Sequence, residues 1–213
     1  MKVGSINFSK IKKLNHNGEC YKNYDLKSKT TFRIGGKAKY YLKICTLENF
    51  IKVMFYLEEK NIKPFILGNG SNLLISDKGY NGIVISFAGD LKRIEMRDEI
   101  VECGAGLPLG VIYQYAKDLG LSGLEDAAGV PASIGGAVFM NAGAYDWEMS
   151  KIVDYVIAWV NGKFTYYDNQ ACDFSYRHSV FQDNNGIIIR VGLKLEKKNK
   201  EDIEDRFLEI IQK

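Results

Sequence analysis

The sequence predicts an α+β fold with two lobes, and three observations support this class. Patterns typical of a strand, a helix and a second strand follow one another over residues 38–67. Beyond Asp90, several short strand patterns surround a single helix pattern. Asn161-Gly162 then provides a strong hairpin signal. We therefore expect a lobe boundary near Asp90, with a ligand site at the junction, because pockets favour such places.

The elements of the first lobe follow in order along the chain. Residues 1–28 are polar and rich in lysine and asparagine, which predicts an irregular N-terminal arm. Thr46 can cap a helix whose apolar residues recur on one face, and Pro64 ends that pattern. The expected strands and helix of this lobe are a strand at 31–34, a strand at 38–44, a helix from 47, a strand at 65–67 and a strand at 83–87.

The second lobe is expected to contain more strands. Pro108 lies near the start of a helix that Gly120 ends. The last residues are charged, with apolar residues on one helical face, which predicts a short C-terminal helical segment at 197–213. Before it we expect one domain at 29–196, divided into lobes 29–90 and 91–196. The expected strands are 91–96, 99–103, 152–160 and 187–195.

Composition excludes several classes of function. Hydrophobic residues make up 46% and charged residues 26% of the chain, as in globular proteins, and no apolar run is long enough to span a membrane. The net charge of +3 comes from scattered basic residues, which argues against a nucleic-acid partner. The start of the chain lacks the apolar core of a secretion signal, so we expect a cytoplasmic protein. The four cysteines are far apart and the two histidines stand alone, so we expect no metal site.

The first of two glycine-studded runs extends from Leu67 to Leu74. Glycines here can turn consecutive amides toward one point, forming a nest for a phosphate oxyanion, and Ser71 and Asn72 can add side-chain donors. The run is not a P-loop, because no Gly-Lys-Ser/Thr follows it. The alternative is an ordinary turn after a strand.

The second run extends from Gly129 to Gly143. Its small residues would let a planar ring approach backbone amides, across a flat stretch at 137–140, and Asn141 offers a donor and an acceptor beside it. The alternative is a close crossing of two backbones in the core, which glycine permits.

A third segment, residues 173–181, concentrates polar groups between aromatic residues. Arg177 could present its guanidinium to a carboxylate or to a developing enolate. The alternative is a solvated surface arginine. His178 is a weak candidate for a general base, since a lone histidine is more often structural.

These motifs occur together in one known family. The chain resembles the UDP-N-acetylenolpyruvoylglucosamine reductases over roughly residues 29–196, through the following motifs in order: Thr31–Gly36, Leu67–Leu74, Gly123-Leu124-Glu125, Gly129–Tyr145 and Tyr176-Arg177. The resemblance implies that 29–196 is an FAD-binding domain of the vanillyl-alcohol oxidase and p-cresol methylhydroxylase type. It also implies that NADPH reduces the flavin, which then reduces a UDP-sugar in peptidoglycan precursor synthesis.

The resemblance assigns roles by position. Arg177 would be the catalytic arginine that polarises the substrate carboxylate, and Tyr176 and Asn141 would contact the substrate. Asn69–Asn72 would hold the FAD pyrophosphate and Gly129–Ala142 would line the flavin. The cofactor-binding set is then Leu67, Gly68, Asn69, Gly70, Ser71, Asn72, Leu73, Gly129, Ser133, Ile134, Gly135, Gly136, Asn141 and Ala142.

The sequence also departs from the family. Members continue into a third domain, whose serine protonates the substrate carbanion and which carries a late glutamate, whereas this sequence stops at Lys213. His178 replaces an acidic residue. The alternative to an active reductase is therefore a catalytically inactive FAD-binding module, or a subunit that needs a complementing chain.

Overall fold

The computed structural model describes residues 5–127 and 129–212. The chain divides into two compact units, Met1–Leu91 and Lys92–Lys213. Each unit has its own sheet and its own buried apolar residues.

The first unit is built on a four-stranded sheet in the order β1-β2-β4-β3. The β1–β2 pair is antiparallel, whereas β4 runs parallel to β2 and to β3. The Thr46 side chain accepts the Asn49 amide at the start of α2, so the predicted cap is confirmed. The elements are α1 (Phe8–Leu14), β1 (Glu19–Asp25), β2 (Lys37–Ile44), α2 (Leu47–Glu59), β3 (Phe65–Ile66) and β4 (Tyr80–Phe87).

Two expectations for this unit are wrong. The N-terminal segment is not irregular within its described part: Asn7 caps α1, and β1 forms an edge strand against β2. An edge strand exposes most of its side chains, so its polar composition resembles that of a loop. Residues 31–34 form a turn rather than a strand, because Arg33 has a φ of +53° and the Thr30 hydroxyl donates to the Ile34 carbonyl.

The second unit contains a five-stranded antiparallel sheet in the order β11-β10-β12-β6-β5. The short helix α4 packs against β12 and β6. The elements are β5 (Ile94–Arg97), β6 (Ile100–Gly104), α3 (Leu109–Asp118), β7 (Leu121–Ser122), α4 (Ile134–Phe139), β8 (Gly143–Ala144), β9 (Trp147–Glu148), β10 (Val153–Val160), β11 (Lys163–Asp168), α5 (Val180–Asp183), β12 (Ile187–Lys194), β13 (Glu196–Lys197) and α6 (Lys200–Ile211).

The turn chemistry of this unit agrees with the sequence. Asn161 and Gly162 both have positive φ, at +48° and +80°, as the predicted two-residue hairpin between β10 and β11 requires. Gly120 follows α3 with a φ of +68°. At the C-terminal end of the chain, α6 packs on α3, and the Phe207 ring stacks on Tyr113 with centroids 4.8 Å apart.

Candidate functional site

In the first unit, the glycine loop is held at its first residue and near its middle. The buried Leu67 donates its amide to the Ile85 carbonyl of β4 at 2.8 Å. Gly70 is buried with a φ of +69°, and its carbonyl accepts the Thr31 amide at 3.2 Å. The loop therefore has a defined shape set by two neighbouring segments of the same unit.

The middle of this loop carries hydrogen-bond donors that have no acceptor. Within residues 5–127 and 129–212, the amides of residues 69–72 donate to no backbone or side-chain atom, and the side chains of Asn69, Ser71 and Asn72 make no hydrogen bond. A run of unpaired amides beside a positive-φ glycine is suited to the oxygens of a phosphate or diphosphate. The structure thus leaves these donors available within the described residues, and the assignment of a pyrophosphate to them stays a prediction.

Large apolar side chains border the unpaired donors. Phe32, on the turn that contacts Gly70, is 62% exposed, and Leu74 is 76% exposed. A cavity of about 240 Å³ also opens in this unit. Phe32 and Leu74 are absent from the predicted cofactor-binding set, and the structure adds them as exposed apolar side chains of the same unit. The cavity is lined by Leu26, Phe65, Leu67, Leu73, Leu74, Ile75, Ser76, Gly79, Tyr80 and Val84.

The second glycine run, in the second unit, is not flat as predicted. Residues 134–139 form α4, and the Ser133 hydroxyl accepts the Gly136 amide at its start. The Gly135 amide donates to the Ala105 carbonyl, and a Cβ on Gly135 would lie 2.8 Å from the Cβ of Ala105. This is the close backbone crossing that the sequence left open as the alternative.

The remaining predicted residues of this run differ in what they can offer. The amides of Ile134 and Ala142 donate to protein carbonyls. In contrast, the amides of Gly129 and Ser133 have no acceptor within the described part of the chain, and no atom lies within 4 Å of a Cβ built on Gly129. If the run binds a cofactor through its backbone, Gly129 and Ser133 are the positions with free donors.

Tyr176 and Arg177 occupy the tip of a tight turn. Ser175 and His178 close it by exchanging both backbone hydrogen bonds, at 3.2 and 3.1 Å. Tyr176 is 87% exposed, and the Arg177 guanidinium carbon lies 5.6 Å from the centre of its ring. Arg177 has a φ of +57°, an uncommon conformation for a non-glycine residue that is found often at functional sites.

The structure brings this turn to a pocket of about 380 Å³. Three of the predicted site residues, Asn141, Tyr176 and Arg177, line it together. Lys151, which the sequence did not single out, adds a second cation, and its amine donates to the Asp146 carbonyl. The other lining residues are Gly143, Ala144, Tyr145, Asp146, Trp147 and Glu148. The lining therefore carries two cations and two carboxylates, a mixed polar surface that can bind a polar small molecule.

Asn141 has a different position from the one expected. It is 1% exposed, its side-chain oxygen accepts the Ser150 amide at 3.0 Å, and its side-chain nitrogen donates to the Ser175 carbonyl at 3.0 Å. The protein itself engages the side-chain oxygen and one of the two N–H donors of Asn141, and a direct contact between Asn141 and a ligand stays a prediction.

Neither a metal centre nor a membrane-spanning helix is found in the described residues. No group of three or more histidine, cysteine or acidic side chains is placed to hold a metal ion in this part of the chain. Burial raises the pKa of the Cys103 and Cys172 thiols to about 12, so both are protonated at neutral pH. None of the described helices has the length and apolar character needed to cross a bilayer.

Comparison with known proteins identifies this architecture. Residues 38–160 match the family model described as FAD binding domain. The UDP-N-acetylenolpyruvoylglucosamine reductase of Caldanaerobacter subterraneus subsp. tengcongensis is 35% identical over 212 residues, which are 99% of this chain and 70% of that protein. The crystal structure of the reductase from Thermus caldophilus matches with a TM-score of 0.78 and 36% identity, over 92% of this chain and 68% of its own.

More distant structures share the fold alone. Cholesterol oxidase from Brevibacterium sterolicum is 14% identical, with a TM-score of 0.62, over 85% of this chain and 38% of its own.

The family model and the two reductases confirm the predicted fold class, the resemblance and FAD as cofactor. The chain spans 60–63% of the length of further curated reductases.

Proposed function

Because the chain belongs to the UDP-N-acetylenolpyruvoylglucosamine reductase family, we propose that it takes part in NADPH-driven reduction of UDP-N-acetylenolpyruvoylglucosamine to UDP-N-acetylmuramate, for peptidoglycan synthesis in the cytoplasm. The observation that carries the proposal is the exposed Arg177, at positive φ on a pocket that also holds Tyr176 and Lys151. The lining balances Lys151 and Arg177 against Asp146 and Glu148, so the exposed guanidinium of Arg177, rather than a net positive charge, is the group that can pair with the substrate carboxylate.

The cofactor assignment draws on both glycine runs. The four unpaired amides of residues 69–72 fit a diphosphate, and Leu67, Gly68 and Leu73 flank them. Within the described residues, the amides of Gly129 and Ser133 have no acceptor, and Gly136 is exposed, with the Ser133 hydroxyl oxygen 3.3 Å from a Cβ built on it. When bound, FAD supplies the group that takes hydride from the nicotinamide and delivers it to the enolpyruvyl carbon. The protein residues then have to bind and orient the substrate and to neutralise the negative charge that develops on it.

Arg177 performs the neutralising role in this proposal. Its planar guanidinium can pair with both oxygens of the substrate carboxylate, which withdraws charge as an electron pair builds up on the adjacent carbon. The Tyr176 ring, 5.6 Å from the guanidinium carbon, covers one side of the cation. Asn141 acts from behind this turn rather than on the substrate.

The test is to measure NADPH oxidation by purified, FAD-loaded protein with and without the enolpyruvyl sugar nucleotide. The proposal expects the sugar nucleotide to stimulate oxidation. A protein that binds no FAD would refute the cofactor assignment. FAD-loaded protein without stimulation would instead favour the alternative, an inactive FAD-binding module or a subunit that needs a complementing chain.

A further inference from the structure

The backbone of the Tyr176-Arg177 turn is held by side chains that come from outside it. In the described part of the chain, two backbone hydrogen bonds, both between Ser175 and His178, close the turn, and both central side chains are exposed. A turn with so few contacts of its own needs additional support to keep Arg177 in a single orientation at positive φ.

Gln182 on α5 supplies part of that support. Its side-chain nitrogen donates to the Arg177 carbonyl at 3.1 Å and to the Phe139 carbonyl at 2.9 Å. An amide group has two N–H bonds, so these contacts use its whole donor capacity. The base of α5 is fixed, since Ser179 and Phe181 are both fully buried.

The Phe139 carbonyl is the other end of the link. It belongs to the last residue of α4, where helix carbonyls lack an intrahelical partner, and it also accepts the Ser179 hydroxyl at 2.8 Å. Both side-chain donors on this oxygen come from the segment that follows the turn. The C-terminal end of α4 is thereby joined directly to the segment that presents Arg177.

Asn141 completes the arrangement from the opposite side. It lies two residues beyond α4, and it donates to the carbonyl of Ser175 while accepting the Ser150 amide. The residues on either side of Tyr176 therefore each have their carbonyl held by a side-chain amide, Ser175 by Asn141 and Arg177 by Gln182.

We propose that Gln182 and Asn141 are positioning residues, which clamp the Arg177 turn to the C-terminal end of α4. This rests on the proposed function for the role of Arg177, but not for the clamp itself. Gln182 acts by joining the carbonyls of Arg177 and Phe139, and this role requires no contact with the substrate. Its loss should free the turn without unfolding the unit.

Trypsin cleavage after Arg177 measures the clamp directly, independently of catalysis. Gln182→Met keeps the length of the side chain and removes both N–H donors. Each hydrogen bond contributes about 1 kcal/mol, so cleavage after Arg177 should accelerate about 5- to 30-fold if it follows the open population of the turn. Cleavage after Lys163, in the same unit, serves as the internal reference. Gln114→Met is the matched control, since the exposed Gln114 side chain donates to Asp118 of its own helix, α3.

Kinetics of the FAD-loaded protein separate positioning from general damage. Gln182→Met should slow flavin reoxidation by the enolpyruvyl substrate while flavin reduction by NADPH keeps its rate. Unchanged cleavage after Arg177 would overturn the proposal, and so would equal acceleration at Arg177 and Lys163. If Gln182→Met does not fold, Gln182→Glu, whose carboxylate would face two carbonyl oxygens, is expected to give the same selective cleavage. Selective cleavage in a chain that shows no reductase activity would support the clamp and reject the proposed function.

Discussion

Replacing Gly70 with alanine tests whether the glycine loop must keep its present shape to bind FAD. Gly70 has a φ of +69°, which costs an L-residue about 1–2 kcal/mol. An alanine Cβ would lie 2.0 Å from the Lys29 carbonyl oxygen and 3.1 Å from the Thr30 Cα. Ordinary contact with that oxygen would require the two segments to separate by about 1.4 Å or more.

That separation has a further consequence. It would break the hydrogen bond from the Thr31 amide to the Gly70 carbonyl, 3.2 Å long, whose net contribution is about 1 kcal/mol. The total penalty on the present loop shape is then at least about 2 kcal/mol, which weakens FAD binding about 30-fold or more. The clash is with Lys29 of the same chain, so the loss comes from displaced amides rather than from filled ligand space.

The assay is a titration of FAD-stripped protein with FAD, followed by quenching of flavin fluorescence. Gly110→Ala is the control, because no atom lies within 4 Å of a Cβ there and the residue is exposed on α3. That change should raise stability by about 0.5–1 kcal/mol and leave FAD affinity unaltered. If Gly70→Ala binds FAD as tightly as the unmodified protein, the amides of this loop do not hold the pyrophosphate.

Three further predictions address other parts of the molecule. Arg177→Lys should lower kcat for the enolpyruvyl substrate about 10²- to 10³-fold with FAD still bound, since an ammonium cannot reproduce the guanidinium fork; a kcat close to that of the unmodified protein would show that Arg177 is not catalytic. Gly129→Ala should leave the melting temperature unchanged, because no protein atom is found within 4 Å of the added Cβ, and it should weaken FAD binding, because that methyl group would stand in the space proposed for the cofactor; unchanged affinity would remove Gly129 from the site. The raised pKa of the Cys103 thiol, about 12 against an ordinary 9.0, means that the folded chain keeps a proton that the unfolded chain releases. Its contribution to stability is complete below pH 9.0 and is lost as pH rises toward about 12. Between these two pH values, the free energy of urea unfolding should fall less steeply with pH in Cys103→Ala than in the unmodified protein, by about 1.4 kcal/mol per pH unit; identical slopes in the two proteins would contradict this.

Local signals in the sequence predicted several elements correctly. The cap at Thr46, the hairpin at Asn161-Gly162 and the end of α3 at Gly120 each depend on residues close together in the chain. Such features depend on the conformational preferences of one or two residues, which a sequence displays directly.

The failures share a different physical cause. β1 is a strand because β2 offers it a partner, and its own residues are mostly exposed. Residues 137–139 are helical rather than flat because α4 packs on β12 and β6, where Gly135 meets Ala105. In both cases a contact distant in sequence overrode the local pattern.

The sequence by itself determined the family, the α+β class, and which residues carry the glycine loop and the arginine turn, since these depend on residue identity and order. Only the tertiary structure decided how those residues are used. Within residues 5–127 and 129–212, it left the amides of 69–72 unpaired, engaged the oxygen and one N–H of Asn141, and bonded the Gln182 side chain to the Arg177 carbonyl. Whether a polar group is available to a ligand depends on its acceptors and donors in space, and those partners come from segments that are distant in the chain.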